Sequence, residues 1–190
     1  MRAKKIHISA ILFFLCICFL WGCGKQQPAA KNKLYVGITY YDQSDTFLSQ
    51  LNTCLREQFD QLENDDLEIT IAVRDAAGSQ RTQDDQVEEL IDAGCNVLFV
   101  NLVDRTDPSE IIDIAKENNV PIVFFNREPV AEDMMRWDEL YYVGADAKQS
   151  GTMQGEMAAD AILANKRIDR NRDGIIQYVV LEGEPGHQDA

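Results

Sequence analysis

The sequence predicts an α/β fold built on a parallel sheet with helices on both faces, and three features carry that expectation. Apolar runs rich in β-branched and aromatic residues recur along the chain. Amphipathic stretches of helical period alternate with them. The runs are continuous rather than alternating with polar residues, as strands buried on both faces are. The chain has 190 residues and is 45% hydrophobic, enough for one domain with a substantial core.

The first run, "KLYVGITYY" (33–41), is a strand. Thr46 to about Glu63 follows as a helix, with Phe47, Leu48, Leu51, Leu55, Phe59 and Leu62 at spacings of three and four. "LEITIAVRDA" is the second strand, and "SQRTQDDQVEELIDAG" a helix that stops at Gly94. "NVLFVNLV" is the third strand. "DPSEIIDIAKENN" is the next helix, with Asp107 and Ser109 as candidate N-caps and Pro108 near its first turn. "VPIVFFN" is the fourth strand and "LYYVGAD" (140–146) the fifth. A helix from about Lys148 to Asn165 and a last strand, "IIQYVVLEG", complete the alternation. An open α/β layer that stops after such a strand leaves apolar surface unburied. The reading is therefore one lobe, a crossover, and the beginning of a second lobe whose remainder lies beyond residue 190.

The N-terminal segment is a leader rather than fold. Arg2, Lys4 and Lys5 precede the apolar run "ISAILFFLCICFLW", which is shorter than the ~20 residues a membrane-spanning helix needs. It ends in "LWGC", which matches a bacterial lipobox, with Cys23 as the residue that takes the lipid. Residues 1–22 are then a lipoprotein signal peptide and 23–33 a polar tether. An uncleaved anchor or an ordinary signal peptide is the alternative, and either exports the chain.

With Cys16 and Cys18 in the leader and Cys23 lipidated, Cys54 and Cys95 remain, and both read as small buried hydrophobes. A disulfide between them stays open in an oxidising compartment. The net charge of −14 argues against nucleic acid and suits an uncharged ligand. No GxGxxG follows the first strand, and there is no Walker lysine or GxSxG elbow. His187 is the single histidine after the leader, and nothing marks a serine to pair with it, so no enzyme is predicted.

Ligands of such sheets sit at the carboxyl ends of strands. The residues there are Tyr41 to Phe47, Asp75, Asn101 to Asp104, and Asn126 to Glu128. Asp45 reads either as a helix N-cap or as a hydroxyl acceptor, and Phe47 either as helix core or as an aromatic plate. Asn101 and Asn126 each read as a turn residue or as a cleft amide, the turn being favoured for Asn126 before Pro129. Further on, "DRNRDGIIQ" opens like a calcium loop, with Asp169, Asn171 and Asp173 at alternate positions and Gly174 at the turn. The position where a helix–loop–helix site has its bidentate Glu holds Val180 instead. A solvated DG turn before a strand is the plain alternative.

Taken together, "VNLVD" (100–104), "VPIVFFNREP" (120–129), "YYVGAD" (141–146), "DRNRDGIIQ" and "GEPGHQDA" resemble the galactose/glucose-binding proteins. These are periplasmic substrate-binding proteins of type I that serve ABC sugar importers, and the resemblance runs from about Leu34 to Ala190. It implies the periplasmic-binding-protein type I fold, two Rossmann-like lobes that close on a sugar, and no catalysis. The implied divisions are 34–143 for the N-terminal lobe, 144–146 for a hinge, and 147–190 for the start of the C-terminal lobe. The implied sugar contacts are Asp45, Phe47, Asn101, His187 and Asp189. A sugar carries many hydroxyls and a CH-rich face, which a carboxylate, amides and an aromatic ring answer.

The resemblance also implies a Ca²⁺ ion held by the side chains of Asp169, Asn171, Asp173 and Gln177 and the carbonyl of Ile175, with a distant Glu not in this chain. The implied partners are galactose or glucose and an ABC permease. A sensing role toward a chemoreceptor or histidine kinase uses the same binding chemistry. A lactose-repressor-type regulator shares the fold but does not suit an export leader or the lack of a basic N-terminal helix-turn-helix.

Overall fold

The computed structural model describes residues 31–181. Five strands lie parallel in the order β2-β1-β3-β4-β5, where β1 is Asn32–Tyr40, β2 Leu67–Asp75, β3 Val97–Val100, β4 Ile122–Phe125 and β5 Leu140–Val143. The helices between them are α1 (Thr46–Leu62), α2 (Gln80–Asp92), α3 (Ser109–Glu117) and the single turn α4 (Ala131–Met134). Beyond the sheet come α5 (Ala147–Ala164) and a short 3₁₀ helix, Lys166–Ile168. The five strands and four longer helices fall where the sequence predicts them. Turn α4 has too few residues to show a period.

Strand pleating divides the core in two. On one face Leu98, Val100, Ile122, Phe124 and Leu140 meet Val87 and Leu90 of α2 and Ile111, Ile112 and Ala115 of α3. On the other, Val36, Ile38, Tyr40 and Phe125 meet Leu48 and Phe59 of α1. Tyr40 packs edge-on against Phe125 and Phe59 against Phe99, at centroid distances of 5.5 and 5.6 Å. Helices thus cover both faces, as expected. Cover is incomplete on the α1 face beyond β3. There Phe99, Val123, Phe125 and Val143, with Phe47, Leu51 and Leu55 of α1, line an open groove of about 310 Å³.

Gly37 of β1 lies under α2, where an added Cβ would come within 2.9 Å of a Leu98 methyl and 3.2 Å of Cys95 Sγ and of a Leu90 methyl. Gly94, with φ +95°, turns the chain out of α2 in the left-handed conformation that glycine adopts freely.

Three expectations are corrected. Residues 175–181 form no strand; Ile175, Tyr178, Val179, Val180 and Leu181 are exposed. Their composition favours a strand, but no neighbouring strand among the described residues accepts their backbone hydrogen bonds, and propensity without pairing does not make a sheet. Helix α3 is capped by neither Asp107 nor Ser109. Pro108 takes the cap position without a side-chain bond, and Ser109 is already helical. Cys54 is exposed, because the buried side of α1 is carried by Leu48 and Phe59. Cys95 is buried as predicted, and burial pushes its thiol up to about 11. Both are free, so the open question of a disulfide between them is answered: none joins Cys54 to Cys95.

Candidate functional site

The connections from β1 to β2 and from β3 onward run in opposite directions across the sheet, so the winding reverses between β1 and β3. The crevice at such a reversal, outside the carboxyl ends, is where open α/β sheets bind ligands. Three strand ends converge there: Tyr41 after β1, Asn101 after β3 and Asn126 after β4.

Asn101 is fully buried and stitches these ends together. Its Nδ2 donates to the Phe125 carbonyl (3.2 Å) and to Asn126 Oδ1 (3.1 Å), and its Oδ1 accepts from the Tyr41 amide (3.4 Å). Asn126 has φ +62°, a left-handed conformation that asparagine tolerates, so it is a turn residue whose side chain also lines the strand ends.

Tyr41 then carries the contact outward. Its hydroxyl donates to Asp45 Oδ2 at 3.0 Å. Asp45 Oδ1 accepts from the Leu48 amide at 3.0 Å, which makes Asp45 the N-cap of α1. The Leu48 amide holds the Asp45 carboxyl below the usual carboxylate range; partial burial opposes this, while the Tyr41 hydroxyl, the Phe47 amide and the charge of Arg127 reinforce it. Each carboxylate oxygen keeps lone-pair capacity for a further donor. Phe47, two residues on, is not helix core: it is 58% exposed and borders the apolar groove.

Arg127 is the feature that sequence reasoning did not single out. It is 7% exposed, its guanidinium lies 3.8 Å from the centroid of the Tyr41 ring, and its Nη1 donates to the Val103 carbonyl at 2.8 Å. Both Tyr41 and Arg127 stand in the strand-end segments marked for inspection, but a stacking between residues so distant in sequence has no local signal. Asp75 Oδ1 is occupied by the amides of Gln43 and Ala77. Asp104 is held below its usual range by the hydroxyl and amide of Thr106, with Arg105 and Arg127 adding to the effect.

The loop at 169–177 forms a tight turn of its own. Asp169 accepts from the amides of Arg172 (2.7 Å) and Gly174 (2.9 Å), and Asn171 Nδ2 donates to Asp173 Oδ2 (2.8 Å). Gln177 Nε2 reaches the same Asp173 oxygen at 3.5 Å. Arg172 and Gly174 have φ of +59° and +81°. The amide nitrogens of Asn171 and Gln177 thus converge on the Asp173 carboxylate, and both amides would have to turn to offer their oxygens to a hard cation. Among the described residues, no group of three or more His, Cys, Asp or Glu is placed to hold a metal ion. Cys23, His187 and Asp189 lie outside the described residues.

Comparison with known proteins follows this geometry. A family described as periplasmic binding protein domain matches residues 36–190. The chain is 37% identical over 182 residues to the D-galactose/methyl-galactoside binding periplasmic protein MglB of Haemophilus influenzae, covering 96% of this chain and 53% of that protein. It resembles the ABC transporter solute binding protein of Bacillus halodurans C-125 with bound myo-inositol at a TM-score of 0.58 and 24% identity, over 70% of this chain and 44% of the other. It also resembles a solute binding protein of Clostridium phytofermentans with bound β-D-glucose, at a TM-score of 0.57 and 20% identity, over 68% and 37%. The chain spans about half the length of the curated relatives it matches.

Proposed function

The chain belongs to the periplasmic binding protein domain family, and from that premise we propose that it is the hexose-capturing part of an extracytoplasmic solute-binding protein that delivers galactose or glucose to an ABC permease. The observation that carries this reading is the Tyr41 bridge, which brings the Asn101 amide and the Asp45 carboxylate to the winding reversal beside the exposed ring of Phe47. Asp45 accepts sugar hydroxyls on its free lone pairs, and Phe47 offers an aromatic face to the CH side of the pyranose. Asn101 answers a hydroxyl where the ligand takes over from Asn126 Oδ1 as acceptor for its Nδ2.

In this reading residues 34–143 are the first lobe, 144–146 the hinge and 147–190 the start of the second. Helix α5, whose residues are all outside the core, suits an element that packs elsewhere. His187 and Asp189 supply the opposite jaw. Residues 1–22 direct export, and lipidated Cys23 tethers the protein outside the membrane. Asp169, Asn171, Asp173, Gln177 and the carbonyl of Ile175 would hold a structural Ca²⁺ with no part in capture. No group with the reactivity of a catalyst is needed for any of this.

Calorimetric titration of the full-length two-lobed protein with D-galactose, D-glucose and myo-inositol tests the reading. Saturable one-site binding of a hexose, tighter than of inositol, is expected. Binding of inositol alone, or of none of the three, overturns it.

A further inference from the structure

We propose that Gln83 is the positioning residue of the cleft, a buried amide that fixes the height of Asn101 and the path of the loop from 101 to 104. The proposal rests on the reading of this crevice as the sugar site. Helix α2 presents three glutamines one turn apart, Gln80, Gln83 and Gln86, toward the carboxyl ends of the strands. The middle one has no exposed surface.

The Gln83 carboxamide is used at both ends. Its Oε1 accepts from the Val103 amide at 2.9 Å, while its Nε2 donates to the Asn101 carbonyl at 2.8 Å and lies 3.5 Å from Thr39 Oγ1. Strand β3 ends at Val100, so these two main-chain groups have left the ladder and need partners of another kind. One side chain serves both. A glutamate has no donor for the Asn101 carbonyl, a methionine has neither function, and an asparagine is a methylene short. Gln80 continues the arrangement at the rim, where its Oε1 accepts from the Asp104 amide at 2.9 Å.

The far side of the loop is held by Arg127, which takes the Val103 carbonyl and stacks on Tyr41, the residue that joins Asn101 to Asp45. Gln83 therefore acts on both polar groups of the cleft, directly on Asn101 and through Val103, Arg127 and Tyr41 on Asp45. Gln86 differs: it bonds Thr39 Oγ1 and the Asp75 carbonyl and leaves the loop alone. It is an internal control.

The test compares Gln83→Met, Gln80→Ala and Gln86→Ala with the unaltered protein by amide hydrogen exchange without ligand, by thermal melting, and by calorimetry with D-galactose and D-glucose. For Gln83→Met the Val103 amide should exchange faster and hexose affinity should fall by about tenfold or more in protein that is still folded. Gln80→Ala should act in the same direction more weakly, and Gln86→Ala should lower the melting temperature with little change in affinity. Unchanged affinity in folded Gln83→Met overturns the proposal. Should Gln83→Met not fold, Gln80→Ala decides: faster exchange at Asp104 with weaker binding supports the proposal, and faster exchange with unchanged binding overturns it. Should the unaltered protein bind neither hexose, the sugar reading falls by itself. Exchange then judges the positioning: acceleration confined to residues 101–104 sustains it, and acceleration spread through the sheet overturns it.

Discussion

The Tyr41 hydroxyl donates to Asp45 Oδ2 across 3.0 Å while the Asp45 Oδ1 caps α1. One carboxylate therefore begins a helix and faces the crevice at once. These two duties can be separated. Asp45→Asn keeps a good capping residue and removes the charge, so melting should change little while hexose affinity weakens by about 1–3 kcal/mol. Asp45→Ala should show the same loss of affinity together with about 0.5–2 kcal/mol of lost stability. Calorimetry and melting on the two variants check this, and full affinity in either removes Asp45 from the site.

The same carboxylate makes stability sensitive to acid. Its folded pKa lies below the ordinary value of about 3.9, so its contribution is complete above that value and drains away as pH falls through the lower folded one. Stability followed by urea unfolding should therefore decline below about pH 4, and less steeply in Asp45→Asn. Equal slopes for the two proteins would contradict the assignment.

Phe47 is exposed, so truncating it should cost the fold little. Phe47→Ala should melt near the unaltered protein and lose roughly 1 kcal/mol or more of hexose affinity through lost stacking. A large fall in melting temperature with normal affinity would return Phe47 to the core.

The Tyr40 ring packs edge-on against Phe125, its buried hydroxyl has no hydrogen-bond partner among the described residues, and burial pushes its pKa to about 12. Replacing an unsatisfied hydroxyl by hydrogen at constant shape is close to neutral or favourable. Tyr40→Phe should hold or raise the melting temperature; a loss of about 1 kcal/mol or more would mean that an internal water completes the site.

Calcium should raise the melting temperature of the protein, and Asp169→Ala or Asp173→Ala should abolish that response. Identical melting in chelator and in excess Ca²⁺ would count against a bound ion. The effect on sugar affinity should be smaller than that on melting.

The pattern of strands and helices was legible because the central strands β1, β3 and β4 are largely buried and read as apolar runs, as "NVLFVNLV" does, while the less buried edge strands β2 and β5 still carry β-branched and aromatic residues. The position of the crevice followed from the strand ends. Pairing was not legible: "IIQYVVL" has the composition of β3 or β4 but lacks a neighbouring strand among the described residues, and composition cannot report that. Within the crevice, Asp45 and Asn101 stood out as polar residues at strand ends. The stacking of Arg127 on Tyr41 and the insertion of Gln83 beneath the loop depend on tertiary placement. From the sequence Gln83 is one polar residue in a polar helix.

The exposed stretch from Ile175 to Leu181 has a consequence for how this polypeptide behaves in a test tube. Its seven residues carry no charge and no proline, and apart from the Ile175 amide, which Asp173 holds, their main-chain groups join no strand among the described residues. Short uncharged segments of this kind stack against their own copies in register. The acidic surface elsewhere keeps molecules apart by mutual repulsion, and salt screens that repulsion. Colloidal behaviour should therefore depend on concentration and ionic strength together: dilute, low-salt solutions stay clear, and concentrated, high-salt ones turn turbid. A single lysine in place of Val179 should shift that boundary without touching the sheet or the crevice.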